Sequence, residues 1–259
     1  MKLLSPASAN TKTRKSAEKA KEYRIVSLML SPADSGGGRT NCANASPGCI
    51  AGCVGNDLTG LALVFKRIGE SRREKTRWMH ADRAGFMRQL IDELEEEQRI
   101  SEREGVTLVA RLNCFSDLNF YSVIRRFPDM IAYDYSKVYN RLLDPEKPRN
   151  YFITASWSER PEDQKRCAEL LRAGENVAVP FYEDGPFTGN RALNQKLPKT
   201  WTIGGLTVKV EDGDDSDLRF LDRRAKPGQP GYCIGLRLKA GTSAGRLASI
   251  QSGFAQRVE

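Results

Sequence analysis

Short apolar runs alternate with polar and helical stretches along most of the chain. Ile25-Val-Ser-Leu-Met-Leu30, bounded by Ser31-Pro32, predicts a buried strand. Val106–Leu112, Met130–Asp134, Tyr151–Ser156 and Asn176–Phe181 predict four more, and Leu206–Val210 and Cys233–Leu238 alternate as half-buried strands that finish a sheet. Between them, Asp82 caps a helix whose Phe86, Leu90, Ile91, Leu94 and Ile100 share one face. Its Asp92, Glu93, Glu95, Glu96 and Glu97 predict a solvated acidic side. Asp57 caps a helix over Leu58–Ile68, and Pro161–Arg172 predicts another that closes at Gly174. Strands separated by helical or irregular crossovers predict an α/β fold with a mostly parallel sheet, open or closed into a partial or distorted (β/α) barrel. Residues 1–22 lack apolar periodicity and predict a flexible basic arm ahead of one α/β domain over residues 23–259.

A long Gly-, Asn- and Ser-rich loop, Ala33–Gly55, follows the first predicted strand and carries Cys42-x6-Cys49-x3-Cys53. Loops of this length inside one domain serve function or lack order, and the cysteines argue for function. In parallel α/β folds, sites collect at the C-terminal strand ends. The other polar clusters fall there too: Arg111, Asn113, Ser116 and Asp117, then Asp134, Tyr135 and Lys137, then Ser156 to Ser158. Arg111, Asn113, Ser116 and Ser156 are expected to bind a cofactor, since a fixed cation beside neutral hydrogen-bonding groups suits a carboxylate or ribose. Asp117, Asp134 and Lys137 are expected to do acid–base work, with plain ion pairing as the alternative.

Composition narrows the class. The chain is 39% hydrophobic and 29% charged, with no apolar run near the ~18 residues of a membrane span. No signal-peptide core is evident, which predicts a cytosolic protein. A net charge of +8 favours anionic partners, nucleic acid or nucleotide first, with a host protein as another partner class. Six cysteines in such a chain are not read as a disulfide framework. Cys114, Cys167 and Cys233 stand alone, and the one histidine, His80, excludes a multi-histidine zinc site.

Thiolates suit zinc or iron–sulfur clusters. Paired C-x2-C knuckles, the stronger zinc signature, are absent. Three cysteines would bind three irons of a [4Fe-4S] cluster and leave the fourth open to a substrate or cofactor. The alternative is a zinc site completed by His80, Cys114 or an aspartate. Asp212–Asp222 is rich in carboxylates but departs from a calcium loop, with Asp217 in place of glycine at position six and Arg223 in place of glutamate at position twelve. A turn with Arg219 paired to Asp217 or Asp222 is the expectation there.

Ala45-Ser-Pro-Gly-Cys49 with Cys53, Arg111-Leu-Asn113 with Ser116-Asp117, Tyr133-Asp-Tyr-Ser-Lys137, Asn176-Val-Ala-Val179 and Asp212-Gly-Asp214 with Asp217, Arg219 and Asp222 occur in that order. On these residues the chain resembles the phage gene-product-88 family, bacteriophage and prophage proteins of unassigned function. The resemblance implies a setting in the cytoplasm of an infected bacterial host. More distantly, three cysteines after the first strand of a β/α barrel are similar to the cluster loop of radical S-adenosylmethionine enzymes, although their usual spacing is C-x3-C-x2-C. That resemblance implies S-adenosylmethionine chelated at the open iron, and an enzyme modifying a nucleotide or nucleic acid. The competing function is a non-catalytic basic protein that binds nucleic acid or a host factor, its cysteines holding a structural zinc or cluster. Cys114 or His80 as a fourth ligand would favour that second reading.

Overall fold

Tyr23–Leu28 (β2), Thr107–Arg111 (β3), Ile131–Ser136 (β4), Tyr151–Ser156 (β5) and Val177–Tyr182 (β6) are short, largely apolar strands buried on both faces, as parallel strands require. The computed structural model describes residues 1–9, 11–33, 39–55, 66–185, 195–239 and 242–258. Around these strands lie Leu4–Pro6 (β1), Thr11–Lys19 (α1), Pro47–Ala51 (α2), Lys66–Ala81 (α3), Arg83–Glu104 (α4), Tyr121–Ile124 (α5) and Pro161–Arg172 (α6). Thr200–Ile203 (β7), Leu206–Asp212 (β8), Cys233–Arg237 (β9), Ser243–Gln251 (α7) and Gln256–Arg257 (β10) complete the chain.

The sheet runs β1-β2-β3-β4-β5-β6-β9-β8-β7. It is parallel from β2 to β8, with antiparallel β1 and β7 at its edges. This confirms a mixed α/β fold with a mostly parallel sheet and corrects the barrel expectation, because the sheet is open. Closure would need a late strand to pair with β2. Instead β1 occupies that edge, and β7, antiparallel to β8, occupies the other. β5 pairs with β6 only as far as Ser156 opposite Ala178, and β10 then takes the free flank at Phe181 and Tyr182. The C-terminal segment is thereby brought to the same end of the sheet as the ends of β3–β5.

Part of residues 1–22, expected as a flexible arm, is held by specific bonds. Glu93 of α4 accepts the backbone N–H groups of Leu3 and Leu4 at 2.7 Å each, and Lys75 donates to the Leu3 carbonyl at 2.9 Å. Leu3 and Leu4 are buried and β1 pairs with β2 from Leu4 opposite Leu28. The acidic side of α4 is accordingly a docking surface in part, with Glu97 also pairing with Arg24 at 2.7 Å. The apolar side of α4 matches expectation, with Phe86, Leu90 and Leu94 fully buried. Asp82 caps the helix through the Gly85 N–H, and Gly105, at φ +67°, ends it in the left-handed conformation that glycine adopts freely. Of the helix expected over residues 58–68 and its cap Asp57, positions 57–65 lie outside the described residues.

The two faces of the sheet differ. Val26, Leu28, Leu108, Ala110, Ala132 and Ile153 join the large core with α4, α5 and α6. The opposite face holds Ile25, Val109 and Tyr133, covered by Ala17, Ala20, Leu218 and Phe220. The Phe220 ring meets Tyr23 edge-on at 5.2 Å and Tyr133 at 5.8 Å. The segment after β8 thus serves as a lid over the second face. Among the described residues no helix is long and apolar enough to cross a membrane.

Candidate functional site: the cysteine segment on the strand-end rim

Ser-Pro-Gly at 46–48 starts a helix for identifiable reasons. Ser46 is extended, and its hydroxyl accepts the Cys49 N–H at 3.4 Å. Pro47 then occupies the first turn, where its missing N–H costs nothing. Cys49 lies within this short helix α2, and Cys53 follows one turn later, just past the Gly52 cap. Part of the expected loop is therefore helical.

The segment from Asn41 to Gly48 is bonded to the ends of β3, β4 and β5 in turn. Asp117 N–H donates to the Asn41 carbonyl at 2.8 Å, and the Cys42 thiol donates to the Phe115 carbonyl at 3.2 Å. Asn44 donates to the Lys137 carbonyl at 3.2 Å. Beyond β5, Glu159 accepts the Ser46 hydroxyl and the Gly48 N–H, while Arg160 donates to the Ala45 carbonyl at 2.8 Å. From α7, Ser249 donates to the Gly48 carbonyl at 2.9 Å. A side chain at Gly48 would overlap Ser252 and Phe254, so glycine is needed for this approach. Gly48→Ala is expected to cost about 1–3 kcal/mol by overpacking, seen as a lower melting temperature and faster proteolysis at α2. An unchanged melting temperature would mean that α2 is not fixed against α7.

Cys42, Cys49 and Cys53 are each half-buried, and none of them forms a disulfide. Burial pushes the Cys42 thiol up to about 12, and Cys49, Cys53 and Asp117 add to the shift as nearby negative charges. The three thiols therefore lie within electrostatic reach of one another. As disposed, they do not form a closed ligand set: among the described residues no three or more His, Cys, Asp and Glu side chains are placed to hold a metal ion. The Cys42 thiol is turned onto Phe115 instead. The donor chemistry of three thiols suits a thiophilic metal.

The two residues considered as fourth ligands are otherwise engaged. Cys114 points to the Arg111 carbonyl at 3.8 Å, and its charged neighbours are Arg111, Asp134 and Asp217. His80 shares a 2.9 Å hydrogen bond between Nε2 and Asn41 Oδ1. Asn41 Nδ2 donates to Ser31, which leaves Oδ1 to accept and the histidine to donate.

The expected acid–base residues sit close in the fold but differ in circumstance. Asp117 accepts the Ser136 hydroxyl, the Lys137 N–H and the Arg141 guanidinium at 2.8–2.9 Å. It holds the turn that sets Lys137 in place. Asp134 is buried and accepts from the Asn113 N–H and side chain and from the Tyr151 hydroxyl; burial pushes its carboxyl up to about 7. Lys137 is buried, donates to Ser156 Oγ at 2.7 Å and lies 5.3 Å from the Phe254 ring centroid. Among the described residues no carboxylate lies within ion-pair distance of it. A buried ammonium held only by a hydroxyl and an aromatic face is suited to receive an anionic group.

The expected cofactor residues separate. Asn113 and Ser116 bond to each other, and Asn113 also ties down Leu118 and Asp134. Ser156 serves Lys137. Arg111 projects to the second sheet face, where it pairs with Asp217 at 2.7 Å. Glu159, Arg141 and Phe254 complete the rim, although nothing in their own sequence context marks them. The carboxylates of 212–222 divide between partners: Asp212 and Asp214 bind Arg237, and Asp222 lies 3.4 Å from Arg219.

Fold and rim together define an open-sheet α/β protein with a three-cysteine segment bonded over its strand ends. The chain belongs to the gene product 88 family, whose model matches residues 2–257, in agreement with the phage family that the motifs resemble. No curated protein and no solved structure matches it.

Proposed function

We propose that this phage protein is a metalloenzyme in which Cys42, Cys49 and Cys53 ligate an iron–sulfur cluster, with chemistry of the radical S-adenosylmethionine type on a nucleotide or nucleic acid in the host cytoplasm. The observation that carries the reading is the seating of the Cys42 thiol over the ends of β3–β5, with Cys49 and Cys53 near enough to act on it electrostatically, on the rim that also holds the buried Lys137. Cys42, Cys49 and Cys53 would hold the cluster as thiolates, and it would supply an iron open to an exchangeable ligand and pass on an electron from an external reductant for carbon–sulfur cleavage. Lys137 and Ser156 bind an anionic group of the cofactor or substrate, and Asp117 positions Lys137 through its backbone. Asp134 is a proton-holding member of the wall. The net charge of +8 favours a polyanionic substrate. Some of the basic residues serve the fold instead, Arg72 donating to the Gly55 carbonyl and Lys75 to Leu3.

The test is the visible spectrum of protein purified without oxygen, before and after adding S-adenosylmethionine. A cluster absorption that changes on addition is expected in the wild type. Lys137→Met is expected to keep the cluster and weaken the response at least tenfold. A cluster spectrum indifferent to S-adenosylmethionine removes the radical chemistry. A colourless, zinc-loaded chain makes the segment a structural clasp on a binding protein.

A further inference from the structure

A cleft that the thiol rim does not use opens where β4 ends. Its first wall is the turn Val138–Arg141, directly after Lys137, and Asn119, Asp144 and helix α6 close the rest. It measures about 690 Å³, inside the roughly 300–1,000 Å³ of small-molecule sites. Specific bonds fix its walls. Arg141 donates to the Asp117 carboxylate at 2.9 Å, and Lys147 donates to the Leu142 carbonyl at 2.8 Å. Tyr139, which also lines the cleft, donates to the Ser156 carbonyl at 2.9 Å, while Lys137 donates to the Ser156 hydroxyl at 2.7 Å. The cleft wall and the Lys137 ammonium therefore converge on Ser156.

The charges of the lining are balanced. Arg141 is paired with Asp117, Arg166 with Glu169 at 2.8 Å, and Asp144 lies in the field of the Lys147 ammonium. An ionic ligand would have to break one of these pairings, whereas an uncharged ligand need not. The polar groups left over are side-chain amides. Asn119 accepts the Tyr121 N–H at 2.9 Å and Asn140 accepts from Arg166 at 2.6 Å, both through Oδ1. Each amide is thereby oriented with its NH2 left to donate. Val138, Leu143, Pro145 and Leu170 supply apolar surface, Leu143 being 61% exposed. Apolar contact for a flat ring face and hydrogen bonds for its edge are what hold an unstacked base in a protein.

We propose that this cleft binds the uncharged base of a nucleoside, with Leu143 and Leu170 against the ring and the Asn119 and Asn140 amides donating to its acceptor edge. The choice of a nucleoside over other uncharged heterocycles rests on the nucleotide reading given above. The cleft itself needs neither cluster nor metal. It gives the substrate two separate receptors: Lys137 and Ser156 for an anionic group, and the turn after β4 for the base.

The experiment titrates the full chain, purified without oxygen, with adenosine, inosine, cytidine and thymidine in turn, and follows binding by calorimetry. At least one nucleoside is expected to saturate with a dissociation constant below about 1 mM, the upper end of ordinary substrate affinities. Inorganic phosphate is expected not to displace it. Leu143→Asp puts a charge on an exposed wall residue, and it is expected to raise the constant tenfold or more without changing the melting temperature of the free protein. Asn140→Ala removes one donor and is expected to raise it several-fold. Failure of all the nucleosides to saturate overturns the site, as does displacement by phosphate or an unchanged constant in Leu143→Asp. Because the titration reads no metal, it can fail while the response to S-adenosylmethionine holds, and succeed where no cluster forms.

Discussion

Asp217→Ala is expected to destabilise the protein by about 3–5 kcal/mol, because it strands a buried guanidinium. The side chains of Asp217 and Arg111 are 1% and 10% exposed, and their 2.7 Å contact joins the lid segment to the end of β3. Asp217 also accepts the Tyr133 hydroxyl, and its own N–H donates to Ser16 of α1. Removing the carboxylate therefore leaves an unpaired cation and phenol and loosens the covering of the second face. At roughly 2–4 °C per kcal/mol for a chain of this size, the melting temperature should fall by about 10 °C. The double change Arg111→Met with Asp217→Leu should recover much of that loss, since an apolar pair removes the charge along with its partner. A single-variant cost below about 1 kcal/mol would show that water or a mobile lid already screens the pair.

The second large effect is a pH dependence. Burial lifts the Asp134 carboxyl from its ordinary value near 3.8 to about 7, while the Arg111 charge and hydrogen bonds from Asn113 and Tyr151 only partly oppose the shift. A carboxyl with a raised folded value holds its proton in the native state after the unfolded chain has released it. Its stabilising contribution is then fully present below about pH 4 and is lost as pH rises through about 7. The difference between those two values corresponds to about 4 kcal/mol. Asp134→Asn has no proton to lose, so its stability relative to wild type should rise by about that amount between pH 4 and pH 7. Asp222, raised to about 6, biases both proteins alike and cancels in the difference. Parallel stability profiles for the two proteins would show that Asp134 is ionised throughout.

Much of the fold was legible because buried parallel strands are written as apolar runs. Tyr151–Ser156 and the helix Pro161–Arg172 match residue for residue, and the other expected strands differ by one or two positions, while β7 and β10 were not expected. β4 runs on to Ser136 because Tyr135 and Ser136 still pair with β5 and the Ser136 hydroxyl finds Asp117 at the strand end, which hydropathy cannot register. β1 was hidden for a similar reason: three residues have no periodicity, and their order depends on Glu93 and Lys75 far along the chain. Openness of the sheet was also out of reach, being decided by the antiparallel pairing of β7 with β8 and by β1 taking the edge beside β2.

At the rim, spacing singled out Cys42, Cys49 and Cys53, and the rule for strand ends placed the neighbouring polar clusters. It could not assign faces. Arg111 and Asn113 are two residues apart, yet one turns to Asp217, 106 positions away, and the other knits its own loop. Nor could it show that Glu159 and Ser249 anchor the cysteine segment, since those contacts exist only once β5 and α7 are in place.

The most direct measurement is the iron, sulfide and zinc content of the chain purified without oxygen, compared among wild type, Cys49→Ser and Cys114→Ala. The three-thiol account predicts about four iron and four sulfide per wild-type chain, an unchanged content in Cys114→Ala, and a loss of most of it in Cys49→Ser. A wild-type chain with neither iron nor zinc, or a metal content that Cys49→Ser leaves intact, would contradict it.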